Sequence, residues 1–346
     1  MLMNRFHGAV RLLMAAVLTA ALAVPATLLT PSVAEAAQAS SQKKTTQKKA
    51  STAKKQTAKK KTSTAKKAAV AAPVVLSAAE IAAQQRRAGP DLIESRLDVP
   101  LAIESRAALI TNARTGEVLY AKNVHQSMPI ASITKLMTAM IVLDAGLDLN
   151  DPITITEADV DHLRHTHSRL SVGTTLTRAD MLLLALMASE NRAASALART
   201  YPGGLSAALD AMNRKARSLG MPNTHFYDGT GLHGGNVSTP GELTKMVQAA
   251  YRYPDIRAFS TMPSYQVTSR GQVLQYNNTN GLVKKPEWDI GVSKTGFINE
   301  AGRCLVMMAH IEDMPVVIVL MDSWGKYTRI GDANRVKKWL EVALRS

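Results

Sequence analysis

A serine and a lysine stand three residues apart in the segment PIASITKLMTAMIVLDAGL, residues 129–147. On a helix this spacing places Ser132 and Lys135 on the same side, one turn apart. A serine hydroxyl is a weak nucleophile until a base removes its proton, and a neutral lysine amine within reach can be that base. The pair is therefore a candidate nucleophile, Ser132, with a candidate base, Lys135. The same spacing also arises by chance, and serine is a common N-cap residue, so the prediction depends on the motifs that accompany the pair.

The helix that would carry this pair is marked by its apolar periodicity. Apolar residues recur at positions i, i+3, i+4, i+7 and i+8, namely Ile133, Leu136, Met137, Met140 and Ile141. This pattern predicts a helix with one buried face, and Gly146 is placed to end it.

A second candidate group follows the apolar run DMLLLALMAS. The run predicts a fully buried helix, at whose end Ser189, Glu190 and Asn191 would be held rigidly. Ser189 is placed to relay a proton toward a leaving amine, and Asn191 can hydrogen-bond a substrate amide. For Glu190 we expect an exposed acid at the start of the next helix.

The third candidate group, Lys294-Thr295-Gly296, lies in the strand-like run VSKTGF. Lys294 and Thr295 can bind a substrate carboxylate, and Gly296 has no side chain to keep a substrate backbone away from the strand. Lys294 is also a second cation. Together with burial, it would lower the pKa of Lys135 and favour the neutral amine that a base requires.

Strand-like runs lie at both ends of the part of the sequence that can fold. AALITNARTGEVLYAKN predicts a hairpin around Thr115 and Gly116, and IGVSKTGF, RCLVMMAHI and PVVIVLMDS predict three strands before a final helix in DANRVKKWLEVAL. The sequence between these ends is rich in helical patterns. It predicts an α/β fold in which an antiparallel sheet, built from both chain ends, is flanked by helices and joined to a helical lobe.

The order Ser-x-x-Lys, Ser-x-Asn, Lys-Thr-Gly is typical of penicillin-binding proteins and class A β-lactamases, which have aspartate where this chain has Glu190. Most of residues 105–340 resembles the low-molecular-weight penicillin-binding proteins, the serine D-Ala-D-Ala peptidase family, and within it the D-alanyl-D-alanine endopeptidase branch. The likeness rests on PIASITKLMTAMIVLDA, DMLLLALMASENRAA, YPGG, TGL, NVST, KTGF, AGRCLVM and GKYT.

This resemblance implies a serine β-lactamase/DD-peptidase-like, or transpeptidase-like, fold with the active site between the sheet and the helical lobe. It implies an acyl-enzyme on Ser132, with the oxyanion held by the backbone N–H groups of Ser132 and Phe297. The implied substrates are the stem peptides and cross-links of peptidoglycan, with β-lactam antibiotics as covalent inhibitors. No cofactor and no metal are expected.

Four functions compete on this evidence. A DD-endopeptidase cutting D-Ala–diaminopimelate cross-links is favoured by the overall resemblance, and a D-Ala-D-Ala carboxypeptidase is its alternative, because no single residue separates the two. A serine β-lactamase of class A would deacylate with a separate glutamate in an E-x-x-L-N segment, and no such segment occurs. A non-enzymatic envelope-binding protein would not need three intact motifs.

The first residues have the pattern of an export signal. Positive charge at Arg5 and Arg11 precedes an apolar run over residues 12–29, and Ala34-Glu35-Ala36 provides small residues for cleavage. We therefore predict a signal peptide over residues 1–36, a disordered lysine-rich linker over residues 37–85, a catalytic domain over residues 86–346 and a periplasmic location. Because the sequence stops soon after its last helix, we expect a soluble or loosely attached enzyme without a transmembrane anchor after cleavage.

The linker carries most of the net charge. Removing the signal takes the formal charge from +15 to +14, and the eleven lysines between positions 43 and 67 account for all but about +3 of the remainder. Such a segment buries too little apolar surface to fold. Its composition is similar to that of basic DNA-binding tails, but an exported chain would not meet the chromosome. An anionic envelope surface is the expected partner, with a plain spacer as the alternative, and no nucleic acid is expected.

Three other features carry weaker signals. His162, His165 and His167 could suggest a metal site, but a loop at the rim of the cleft is favoured because no other group has ligand spacing. Cys304 lies in an apolar strand and predicts a buried structural thiol. The tryptophans are scattered along the sequence and predict no stacking platform for nucleic acid or sugar.

Overall fold

The computed structural model describes Glu94, Ser95, Leu97 and residues 100–345. The predicted signal peptide and lysine-rich linker lie outside the described residues. None of the helices in the described part of the chain is long and apolar enough to cross a membrane.

A mixed set of strands and helices fills the described residues. The strands are β1 (Glu94–Ser95), β2 (Ala107–Asn112), β3 (Val118–Lys122), β4 (Met128–Pro129), β5 (Pro152–Thr154), β6 (Thr175–Thr177), β7 (Val237–Ser238), β8 (Ser264–Ser269), β9 (Gln272–Asn277), β10 (Asp289–Ile298), β11 (Gly302–Ile311) and β12 (Met314–Ser323). The helices are α1 (Thr134–Asp144), α2 (Arg178–Met187), α3 (Asn191–Arg199), α4 (Gly204–Ser218), α5 (Pro240–Tyr251), α6 (Pro254–Thr261) and α7 (Thr328–Ala343).

The main sheet is built from both ends of the described chain, as the sequence predicts. Its strand order is β1-β3-β2-β12-β11-β10, and every pairing is antiparallel. The predicted hairpin is β2–β3, and the three predicted C-terminal strands are β10, β11 and β12. In this order β10 lies at the edge of the sheet, so one side of the Lys-Thr-Gly strand stays open to other groups.

Apolar side chains cover both faces of the sheet. On one face Val306 and Val319 pack toward α1, α2 and α3, and on the other Ile318 and Leu320 pack toward α7 and Trp339. The sequences of these strands are therefore continuously apolar and do not alternate between apolar and polar residues. The predicted α/β fold with a flanked antiparallel sheet and a helical lobe is confirmed.

Helix α1 differs from its prediction. Gly146, with a φ of 63°, follows the C-cap residue Ala145, as expected. The prediction of a single buried face is wrong, because every residue from Thr134 to Val142 is buried. Helix α1 contacts α2, α3, α4, α5 and α6 and is thus surrounded within the lobe. Its polar residues can be buried because they are hydrogen-bonded, as Thr138 is through Oγ1 to the Gly229 carbonyl at 2.7 Å.

Candidate active site

A cleft of about 730 Å³ lies between the edge strand β10 and the helical lobe. It is lined by residues from all three motifs, namely Ser132, Ser189, Asn191, Thr295, Gly296 and Phe297. Lys135 and Lys294 are buried directly behind this lining. The fold thus brings together all eight residues that the sequence singles out.

Ser132 lies on a short turn of 3₁₀ helix, Ala131–Ile133, that leads directly into α1. The preceding residue, Ala131, has a φ of 47°, a left-handed backbone conformation that is uncommon for a residue with a side chain. Thr134 Oγ1 donates to the Ala131 carbonyl at 2.8 Å and helps to hold this turn. The serine is therefore presented to the cleft by a constrained backbone.

Lys135 is placed as a base for Ser132. Its Nζ donates to Ser132 Oγ at 2.8 Å, to Asn191 Oδ1 at 2.8 Å and to the Thr230 carbonyl at 2.6 Å. Burial lowers the pKa of Lys135 to about 7, and the carboxylates of Asp228 and Glu190 act in the opposite direction. A large fraction of this amine is therefore neutral near pH 7 and can accept a proton.

Lys294 is the second buried amine. Its Nζ donates to Ser189 Oγ at 2.9 Å and to the Thr295 carbonyl at 3.0 Å. Burial lowers the pKa of Lys294 well below its usual value, and the nearby charges of Lys135 and Arg329 lower it further. Burial thus acts on the pKa of Lys135 in the predicted direction. The charges that act on the pKa of Lys135 are the carboxylates of Asp228 and Glu190, which raise it. The predicted repulsion between the two lysines instead lowers the pKa of Lys294.

The second motif sits in the corner between α2 and α3. Ser189 has a φ of 60°, a strained conformation that turns the chain between the two helices. Asn191 begins α3, and its side chain is engaged at both ends, because Oδ1 accepts from Lys135 and Nδ2 donates to Thr166 Oγ1 at 3.0 Å. In this structure Asn191 therefore fixes the base and the loop at the rim of the cleft.

Glu190 is not the exposed acid that the sequence predicts. Glu190 is only 9% exposed, and its Oε1 is buried without a hydrogen-bond partner among the described residues. Burial raises the pKa of Glu190. The prediction is wrong because the loop of residues 161–170 covers the start of α3, a long-range contact that local sequence does not reveal.

Two glycines pack against the backbone that carries the nucleophile. A Cβ atom on Gly231, which has a φ of 84°, would lie 1.9 Å from the Ala131 carbonyl oxygen and 2.8 Å from Ser132 N. A Cβ atom on Gly296 would lie 2.8 Å from the Ile130 carbonyl oxygen and 3.2 Å from Ser132 N. The sequence predicts that Gly296 makes room for a substrate. The structure shows that the space beside its Cα is taken by the protein's own backbone.

Replacing Gly231 with alanine is expected to slow acylation by labelled penicillin about a hundredfold, because a displacement of about 1 Å at a nucleophile costs that much. The measurement is the acylation rate of protein whose circular dichroism matches that of the wild type. Gly281→Ala is the matched control, since a Cβ atom there would meet nothing within 4 Å. Wild-type acylation by Gly231→Ala would show that the close packing does not position Ser132.

Sequence reasoning missed several residues of the site. Asp228 accepts from the backbone N–H groups of Thr230, Gly231 and His233 and so shapes the turn that packs on the nucleophile. The TGL segment, residues 230–232, is the sequence feature that indicates this turn, because glycine and threonine in a turn often accompany a capping aspartate.

Arg329 is the most informative of the missed residues. It lines the cleft from the first turn of α7, is buried, and finds no hydrogen-bond partner for Nε and Nη1 among the described residues. A buried guanidinium whose N–H groups are unpaired is suited to bind a carboxylate. Its position directly after the GKYT segment was the only signal in the sequence.

The three histidines that could suggest a metal site lie in an exposed loop. His162, His165 and His167 are exposed in the loop of residues 161–170, whose Leu163 and Arg164 line the cleft, so the expected rim loop is confirmed. No group of three or more potential ligands suited to a metal ion occurs among residues 100–345.

Cys304 is buried within β11, where burial raises the pKa of its thiol to about 11, as a structural cysteine requires.

Known proteins match both the sequence and this fold. The family model of the D-alanyl-D-alanine carboxypeptidases, peptidase S11, matches residues 94–325. D-alanyl-D-alanine endopeptidases of Pseudomonas aeruginosa and Escherichia coli are 48% and 46% identical over 242 residues, 69% of this chain and 78% of each relative. The crystal structure of the Streptomyces K15 DD-transpeptidase is 29% identical, with a TM-score of 0.65 over 70% of this chain and 98% of that one.

The fold and the three assembled motifs define the class of protein, a serine DD-peptidase of the penicillin-binding type. Within that class, the chain belongs to the D-alanyl-D-alanine carboxypeptidase family, peptidase S11.

Proposed function

We propose that this chain is a DD-endopeptidase that hydrolyses D-Ala–diaminopimelate cross-links of peptidoglycan through an acyl-enzyme on Ser132. The observation that carries the reaction type is the 2.8 Å contact between Ser132 Oγ and the buried Nζ of Lys135 at the floor of the cleft. The choice of the cross-link as substrate is supported by the two relatives at 48% and 46% identity, both of which are named endopeptidases.

The geometry supports a two-step reaction. Lys135 takes the proton of Ser132 as Oγ attacks the D-Ala carbonyl carbon, and the oxyanion is held by the N–H groups of Ser132 and Phe297. Lys135 passes the proton it has taken to Ser189, and Ser189, which accepts from Lys294 Nζ at 2.9 Å, gives its own proton to the leaving amine as the amide bond breaks. Lys135 is then neutral again and takes a proton from the water that attacks the ester carbonyl. It returns this proton to Ser132 Oγ as the ester bond breaks and the acyl group leaves.

A carboxylate subsite accounts for the recognition of the leaving group. Thr295 and Arg329 line the cleft with a hydroxyl and a guanidinium, and the amine of Lys294 is buried behind this lining. Terminal D-Ala and the D-centre of diaminopimelate both carry a carboxylate on the carbon next to the scissile nitrogen. This subsite therefore binds either leaving group, which explains in chemical terms why no motif residue separates endopeptidase from carboxypeptidase.

The products of digestion show whether the enzyme cuts the cross-link or the terminal D-Ala bond. Purified cross-linked muropeptide dimers should be split to monomers, while free pentapeptide stems lose their terminal D-Ala slowly or not at all, as mass spectrometry would show. Enzyme blocked beforehand with penicillin is the control. Rapid trimming of pentapeptides with intact dimers would identify a carboxypeptidase instead.

We further propose a periplasmic enzyme whose lysine-rich linker binds anionic envelope material. The support is compositional, because a segment with eleven lysines and no acidic residue between positions 43 and 67 attracts polyanions without geometric specificity. Such attraction is screened by salt.

Deletion of residues 38–68 is expected to leave hydrolysis of soluble muropeptides unchanged and to reduce binding to intact sacculi at low salt. The difference should vanish at high salt. Sedimentation of the full-length and shortened proteins with sacculi measures it. Equal binding of both proteins to sacculi at low salt would show that the linker is only a spacer.

A further inference from the structure

A row of exposed aromatic side chains leads away from the cleft. Phe297, Trp324 and Tyr327 are 51%, 91% and 69% exposed, whereas Trp288 and Trp339 are buried in the core. Exposed aromatic groups gathered in one place commonly mark a binding surface. We call Phe297, Trp324 and Tyr327 the aromatic strip.

The strand register places Phe297 and Trp324 at the same end of the sheet, two strands apart. Phe297 of β10 is opposite Arg303 of β11, and Arg303 is opposite Ser323 of β12, directly before Trp324. Since neighbouring strands lie about 4.8 Å apart, the strip crosses about 10 Å of the sheet end. The sequence predicts no stacking platform from the tryptophans, and the proposal below bears on that prediction for Trp324 alone, which is exposed whereas Trp288 and Trp339 are buried.

The strip begins at the cleft with Phe297, and its other end is close in sequence to a second cleft residue. Phe297 lines the cleft itself, and Tyr327 is the N-cap residue of α7, two positions before the cleft residue Arg329. Cations lie over two of the rings, with the Arg303 guanidinium 4.5 Å from the Phe297 ring centre and Lys326 Nζ 5.3 Å from that of Tyr327. The indole of Trp324 remains largely open to a ligand.

We propose that the aromatic strip binds the glycan strand that carries the stem peptides, with an N-acetylated amino-sugar ring stacked on Trp324. This inference rests on the proposed function. Because Phe297 lines the cleft and Trp324 lies two strands away from it, a polymer whose stem peptide is bound in the cleft can continue over the strip.

The chemistry of the strip suits a sugar. A pyranose ring offers a flat face of C–H groups with hydroxyl and amide groups at its edge. That face packs on an indole while the edge stays in contact with water, and the indole N–H and tyrosine O–H can bond to the edge. The neighbouring cations can meet carboxylates of the attached stem.

The test compares two substrates that differ only in the sugar. Cross-linked dimers that retain their disaccharides are assayed beside the same cross-linked peptides after an amidase has removed the sugars. Trp324→Ala should lower kcat/KM on the sugar-bearing dimers about five- to tenfold, the loss expected for one stacking contact, and should leave the sugar-free peptides unaffected. Val342→Ala, an exposed residue near the other end of α7, is the control and should change neither.

Direct binding separates this proposal from the proposed function. The full-length protein should be retained by peptide-free glycan chains at a salt concentration that screens the linker, and Trp324→Ala should not be retained. Equal loss on both substrates, unchanged activity on both, or retention by anionic vesicles instead of glycan would overturn the proposal. Failure of the wild type to cut either substrate, with glycan binding intact, would contradict only the endopeptidase assignment.

Discussion

Replacing Ser132 with alanine is expected to abolish the splitting of cross-linked muropeptides, with a fall in kcat on the order of 10⁶-fold. The variant keeps the cleft and both lysines but has no oxygen to form the acyl ester. Monomer release, followed by chromatography with mass detection, measures the effect. Ser206→Ala, on the exposed side of α4, is the matched serine control and should keep wild-type activity.

Substantial residual turnover by Ser132→Ala would contradict the assignment of Ser132 as the nucleophile. If the variant folded normally and still split dimers at a rate within tenfold of the wild type, another group would have to be the nucleophile. Loss of activity in Ser206→Ala as well would point to a defect in the preparation rather than in the chemistry.

Replacing Lys135 with alanine is expected to slow acylation by ~10²–10⁴-fold, the usual contribution of a positioned base. Lys135→Arg should be equally slow, since a guanidinium stays protonated and cannot accept the serine proton. Stopped-flow measurement with a chromogenic β-lactam gives the rate. Lys294→Ala, by contrast, should mainly weaken capture of the ligand, because Lys294 reaches Ser189 and the carboxylate subsite rather than Ser132.

The pH profile follows from the same lysine. Below a pKa of about 7, Lys135 is mostly protonated and cannot act as a base, so the acylation rate of the wild type should rise with pH through this region. The residual rate of Lys135→Ala should lack this rise. Acylation at the wild-type rate by Lys135→Ala, or a pH profile that the variant shares with the wild type, would place the base elsewhere.

The parts of the site that the sequence predicts are those carried on regular elements. Ser132 and Lys135 are one helical turn apart, and Lys294 and Thr295 lie on a strand with a clear apolar pattern, so spacing alone relates them. The order of strands and helices also follows from local patterns, which is why the sheet built from both chain ends could be foreseen.

The missed parts depend on contacts between distant segments. Asp228 and Gly231 act through a turn that touches Ala131 only after folding. Arg329 lines the cleft although the buried apolar side chains of α7 pack on the opposite face of the sheet. Glu190 is buried by a loop, although its sequence position is typical of an exposed helix start. No periodicity encodes such contacts, so local patterns could not predict them.

The most direct test of the account is the site of covalent attachment. Wild-type protein is labelled with penicillin, digested, and analysed by peptide mass spectrometry. We predict one acyl group per chain, on the peptide that contains Ser132 and at that residue, with no label in Ser132→Ala. A label on any other residue, or undiminished labelling of Ser132→Ala, would contradict the assignment of Ser132 as the nucleophile.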